Sequence, residues 1–141
     1  MEKKTYPLSY ADVKQPFAKC VVVKKGDLVF CSGMSGRLME TGEVRNDDPY
    51  TQTQDALDKI KNILGEAGTS LENIVKMTVY MKDVIKDGRN IMRNAMKDYF
   101  RKHAPSLAED MPAVTALGVT SLMYPRMLVE IDVTAVMPGN R

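Results

Sequence analysis

Residues 111–137, MPAVTALGVTSLMYPRMLVEIDVTAVM, constrain the fold of this chain more than any other stretch. Side chains alternate there with the period of two that a pleated strand imposes, so the stretch reads as two strands joined by a turn at 121–126. In the second strand Val129, Ile131, Val133, Ala135 and Met137 share one face. Leu128, Glu130, Asp132, Thr134 and Val136 share the other. The first set demands a core. The second sets two carboxylates side by side between apolar ends, as on a half-solvated face or the wall of a pocket.

The rest of the chain supplies what must cover that sheet. Residues 1–19 are polar, and Pro7 and Pro16 interrupt any periodicity, so this segment is expected to be irregular. CVVVK (20–24) and LVFCS (28–32) read as a hairpin turning at Lys25-Gly26-Asp27, followed by a loop to Asp48 with a short strand near 43–45. Asp48-Pro49 is a helix start, and Ala56, Leu57, Ile60, Ile63 and Leu64 continue a helical stripe that ends at Gly68. Residues 75–82 alternate as a strand. A second helix from Arg89 buries Met92, Met96, Tyr99 and Phe100 and stops by Pro105. Two helices cannot cover both faces of a sheet of five or six strands. The expectation is an α+β domain with helices on one face of a mixed sheet and a partner subunit on the other.

Composition removes several classes of function. The 141 residues make one domain, and twenty basic against eighteen acidic residues leave a charge of +2, which draws the protein to neither nucleic acid nor membrane. No leader with an apolar run and no membrane span is evident, so a soluble cytoplasmic protein is expected. A lone His103 and two cysteines, Cys20 and Cys31, give no zinc-type cluster, and neither a metal nor a cofactor is expected. Arg89, Arg93, Lys97 and Arg101 recur every four residues on the second helix. They read as a solvated face, because no aromatic platform accompanies them as it would for RNA.

Several blocks together resemble a known family. They are GDLVFCSG (26–33), TGE (41–43), the helix Gln52 to Leu64 of the type Gln-x-x-x-Ala-Leu-x-x-Ile-x-x-Ile-Leu, AGTSLENIVKMTVY (67–80), Tyr99-Phe100, Pro112-Ala113 and LVEI (128–131). The chain resembles the RidA/YjgF family, also labelled L-PSP endoribonuclease, over residues 15–138, leaving an N-terminal segment 1–14 and a tail 139–141. The resemblance implies a chorismate-mutase-like α+β fold with two helices packed on one face. It also implies a homotrimer with clefts between subunits, and cofactor-free hydrolysis of reactive imines or enamines to carbonyl compounds and ammonia. In such sites an arginine after Pro-Ala grips the substrate carboxylate, and a glutamate on the last strand places the attacking water.

Residue by residue, the chain keeps part of that site. Glu130 matches the glutamate and Ser32 the serine that closes the hairpin. Phe17 stands where tyrosine is usual, Met34 where glutamine is usual, and Arg93 near the helix asparagine. Val114 follows Pro112-Ala113 in place of the arginine, with Ala116 the nearby small residue. Losing one partner of a buried charge pair costs about 2–5 kcal/mol, so ordinary 2-imino acid turnover is expected to be weak unless another cation reaches in. Arg93 is the candidate, with Arg37 and Arg126 behind it. Glu130 is the catalytic candidate, and Phe17, Ser32, Met34, Arg93, Val114 and Ala116 are the substrate-binding candidates. The alternative is a non-catalytic trimer holding a small apolar ligand.

Overall fold

Helix α1, Pro49–Glu66, begins where the sequence dictates. Asp48 stays extended and its carboxylate accepts the Thr51 N–H at 2.8 Å, satisfying one of the donors a helix start leaves open. The helix ends as Gly68 takes a positive φ of 86°, and the Thr69 N–H turns back to the Leu64 carbonyl at 2.9 Å. Ala56, Leu57, Ile60 and Leu64 are fully buried. Helix α2, Gly88–His103, buries Met92, Ala95, Met96, Tyr99 and Phe100, and the Tyr99 hydroxyl donates to Asp58 of α1 at 2.6 Å. Burial and that carboxylate push the Tyr99 phenol up.

The computed structural model describes residues 2–10, 12–82 and 87–139. Its strands are β1 (Glu2–Tyr10), β2 (Val13–Lys24), β3 (Leu28–Ser35), β4 (Ile74–Lys82), β5 (Ala113–Val119) and β6 (Val129–Val136). They form one mixed sheet in the order β1-β2-β5-β4-β6-β3. A single 3-10 turn, Leu71–Asn73, leads into β4, and a short helix α3, Pro105–Glu109, leads towards β5. β4 and β5 run parallel, with α2 in the crossover, and β6 lies antiparallel to β4 and β3. The α+β fold with helices on one face is as expected. Val129, Ile131 and Val133 of β6 and Met77, Val79 and Met81 of β4 sit buried beneath the helices, while their alternate neighbours are only half-buried.

A buried Gln52 ties these layers together. Its amide donates to the carbonyls of Asn46 at 2.7 Å and Arg126 at 2.9 Å, and its oxygen accepts the Leu128 N–H at 2.8 Å. A Cβ on Gly36 would lie 2.7 Å from its Cγ, so only glycine lets the loop pass this close. One side chain thus anchors the start of α1 to the loop before it and to the loop that leads into β6.

Four expectations are corrected. Residues 2–10 and 13–19 are strand, not irregular chain, the latter running on into the strand expected at 20–24; β1 is an edge strand, where proline is tolerated, and Pro7 falls where its register with β2 shifts. The stretches 20–24 and 28–32 are strands but not a hairpin, because β3 pairs with β6 while β2 pairs with β1 and β5. β2 meets β5 only at Ala18–Ala113, and three residues carry the chain from Lys24 to Leu28. Such a link spans roughly 14 Å at most, so β2 must leave β5 and run towards the β3 edge. Finally, β5 and β6 are not neighbours; β4 lies between them. The short strand expected near 43–45 is an isolated bridge from Arg37 to Val44.

Two substitutions test this account by urea denaturation. Gln52→Ala strands one buried N–H and two carbonyls and should cost about 3 kcal/mol. Asp48→Ala removes a cap and should cost about 1 kcal/mol at neutral pH. Side-chain and backbone hydrogen bonds from Thr51 hold the Asp48 carboxyl below its usual range. A lowered folded pKa gives stability above the unfolded value and loses it as pH falls, so the Asp48→Ala difference should shrink below about pH 4.

Candidate functional site

Sheet register decides which candidates share a surface, since directly paired residues project to the same side. Tyr80 is opposite Glu130, and Thr78 opposite Asp132. Across β5, Leu117 is opposite Tyr80 and Thr115 opposite Thr78. All six stand on the face that the helices leave open. That face also exposes Leu28 (52%), Phe30 (78%) and Leu117 (41%). Val114 and Ala116 pair with Met77 and Val79 and therefore lie on the helix side.

Glu130 is held by an irregularity in its neighbour. β3 pairs regularly with β6 up to Cys31–Val133 and resumes at Met34–Ile131, so Ser32-Gly33 carries one residue more than the opposing strand. At this bulge a Cβ on Gly33 would lie 2.3 Å from Glu130 Oε1. The carboxylate thus rests against bare glycine backbone beside the exposed Ser32. Tyr80 feels the pair of acids: Asp132 first, then burial, then Glu130 push its phenol up. From α1, burial pushes the Lys59 ammonium down while Asp55 and Glu130 oppose that shift. Lys59 Nζ donates to the Arg37 carbonyl. Arg37 itself stacks on Tyr124, with the guanidinium carbon 3.9 Å from the ring centroid. Arg126 forms an ion pair with Asp47 at 2.6 Å. Neither behaves as a spare cation beside Val114.

On the helix side lies a cleft of about 850 Å3 between α2, α3, β5 and the β1–β2 pair. Arg93, half-buried, lines it together with Val114 and Ala116. Of the ridge, Arg89, Lys97 and Arg101 are exposed, as expected of a solvated face, and Arg93 is half-buried; all four stand along the lining of this open cleft. Met92, Met96 and Met111 supply its apolar part. The candidates therefore fall into two groups on opposite faces, Glu130 with Ser32 on one and Arg93 with Val114 and Ala116 on the other. Met34 joins neither, because it pairs with Ile131 and packs against the core. Phe17 lies in β2, and its side chain falls outside the described residues. Among the described residues no cluster of His, Cys, Asp and Glu is arranged to hold a metal ion, and no helix is long and apolar enough to cross a membrane. Cys31 is a buried thiol, pushed up by burial and then by Asp132.

The family model described as Endoribonuclease L-PSP matches residues 10–137. The chain belongs to that family, which includes the RidA/YjgF proteins. A RutC family protein of Pyrococcus abyssi is 35% identical over 113 residues, covering 80% of this chain and 81% of its own. The human 2-iminobutanoate/2-iminopropanoate deaminase is 27% identical over 103 residues, covering 73% and 72%. The crystal structure of a Rid-family protein of Yersinia pestis superposes with a TM-score of 0.76 at 22% identity, covering 97% of this chain and 100% of that one. That likeness carries the fold. The RidA-like α+β architecture is therefore established for this chain.

Tyr80 and Lys59 escaped the sequence reading. Tyr80 was reachable, since alternation puts it on the outer face of its strand; Lys59 had no local signal, as its approach to Glu130 depends on how α1 lies over β3. The Tyr80 environment gives a direct test. Asp132→Asn should bring the Tyr80 pKa down towards the ordinary phenol value, and Glu130→Gln should bring it down less, in tyrosine ring-carbon NMR titrations.

Proposed function

We propose that this RidA-family protein is a cofactor-free hydrolytic deaminase of a reactive imine or enamine, acting as a homotrimer with sites in clefts between copies. The observation that carries the reading is Arg93 in the wall formed by Val114 and Ala116. It returns a cation to the surface from which the family arginine is missing. The deaminase named among the relatives supports the reaction class. Assembly brings the open face of one copy, with Glu130, to the cleft of another, and covers Phe30 and Leu117 in doing so.

In this reading Arg93 holds the anionic end of the substrate and Val114 excludes water beside it. Glu130 takes a proton from water as its oxygen bonds to the imine carbon, and the C=N electrons move to nitrogen. The proton passes to nitrogen to give the carbinolamine; the hydroxyl proton then moves by way of Glu130 to nitrogen, the oxygen electrons form C=O as the C–N bond breaks, and the carbonyl compound and ammonia leave. An enamine enters by first taking a proton at carbon to become the imine. Val114 narrows the choice to substrates whose charge lies further from the reacting carbon than in a simple 2-imino acid, because Arg93 projects from α2 and not from β5.

Ammonia release from 2-iminoglutarate, whose second carboxylate lies further from the imine carbon, compared with 2-iminobutanoate, each generated in place by an amino-acid oxidase, tests the reading; the first should be the better substrate. Glu130→Gln should lower kcat by roughly 10²–10⁴ with little change in KM. Arg93→Ala should act mainly on KM, with a loss of about 2–5 kcal/mol in kcat/KM. Gly33→Ala should leave the fold intact, as the added methyl meets only the end of a flexible side chain, yet match Glu130→Gln in rate. A Glu130→Gln enzyme as fast as the unaltered protein contradicts the reading. The apolar wall of Met92, Met111 and Val114 favours one other, a trimer that binds a small ligand without turnover. Ligand-induced thermal stabilisation without any ammonia would select it.

A further inference from the structure

The cleft carries far more positive charge than the clamping of one carboxylate requires. Lys14 from β2 and Arg89, Arg93, Lys97 and Arg101 from α2 line it, against Glu109 and Asp110. Asp110 is already engaged, with Lys3 Nζ 3.7 Å from its carboxylate. Among the described residues Arg89, Lys97 and Arg101 form no ion pair. Like charges every four residues weaken a helix, so this spacing works against the stability of α2. Successive members of the ridge rise by about 6 Å along the helix, which lets two neighbours clasp a single phosphate-sized anion. The cleft volume of about 850 Å3 suits a small molecule. Among the described residues no aromatic side chain lines it, and so none there offers the stacking platform of single-stranded RNA recognition.

We propose that the ligand of this cleft is a small organic molecule whose anionic group carries two or more charges, a phosphate or paired carboxylates, with an apolar portion against Met111 and Val114. This rests on the same cleft as the deaminase reading and specifies its ligand class. Doubly charged anions gain from several cations at once, whereas a monocarboxylate engages one. Lys97 and Arg101 are therefore binding residues although they lie outside the part of the cleft formed by Val114 and Arg93.

Calorimetry and thermal denaturation at low salt test this with four probes: inorganic pyrophosphate, citrate, propionate and a short single-stranded RNA. Pyrophosphate or citrate should bind and raise Tm, with propionate much weaker; the preferred one of the two distinguishes phosphate from paired carboxylates. In the double variant Lys97→Gln, Arg101→Gln the affinity should fall roughly tenfold for each cation removed, the loss expected for a charge-assisted hydrogen bond. That variant should be no less stable than the unaltered protein without ligand, because like-charge repulsion has been relieved. Lys102→Gln, on the same helix but outside the cleft, should bind as the unaltered protein does. The proposal is overturned if neither pyrophosphate nor citrate binds, if propionate binds as tightly, if Lys102→Gln loses as much, or if RNA binds more tightly than either small anion. None of these readouts needs turnover, so a protein that binds dianions but releases no ammonia refutes only the deaminase reading, and one that releases ammonia without binding them refutes only this proposal.

Discussion

Everything in this molecule follows from a sheet with too few helices. Helices α1 and α2 bury one face through Leu57, Ile60, Met96 and Phe100, and Gln52 fastens the start of α1 to the loop that leads into β6. Among the described residues no helix covers the other face. Tyr80, Glu130 and Asp132 share it with Phe30 and Leu117. A face that mixes exposed apolar side chains with carboxylates can be covered by another copy of the chain, as in the proposed assembly.

The same constraint splits the chemistry. A strand shows alternate residues to opposite sides, so Glu130 on β6 and Val114 on β5 cannot meet within one chain: the register through β4 places them on opposite faces. A reaction that uses both sides requires assembly. The bulge at Ser32-Gly33 then has a clear purpose, since it opens bare backbone against which the Glu130 carboxylate rests. In the proposed reading the cationic function passes from the strand position held by Val114 to α2, where Arg93 lines the same cleft.

Local signals in the sequence revealed most of the elements. Asp48-Pro49 marked the start of α1, Gly68 its end, and alternation marked β4 and β6 and the outward face of Glu130. What alternation cannot reveal is partnership. β2 and β3 looked like a hairpin because a glycine turn joins them, yet the partner of β3 is β6, about a hundred residues away. Pro7 and Pro16 hid two strands, because proline signals a break except at sheet edges and register shifts. The basic ridge was visible but its setting was not: only the packing of α2 against α3, β5 and the β1–β2 pair makes it the wall of a cleft. Residue resemblance supplied Glu130, Val114 and Arg93, and geometry supplied the division between them.

Mixed assembly tests the central claim most directly. Glu130→Gln and Arg93→Ala chains, each impaired alone, are unfolded together, refolded as a mixture and assayed for ammonia release against either parent. Sites shared between copies predict recovered activity in the mixture, since some clefts then combine an intact Glu130 with an intact Arg93. A mixture no more active than its parents, from chains shown to co-assemble, would contradict the account.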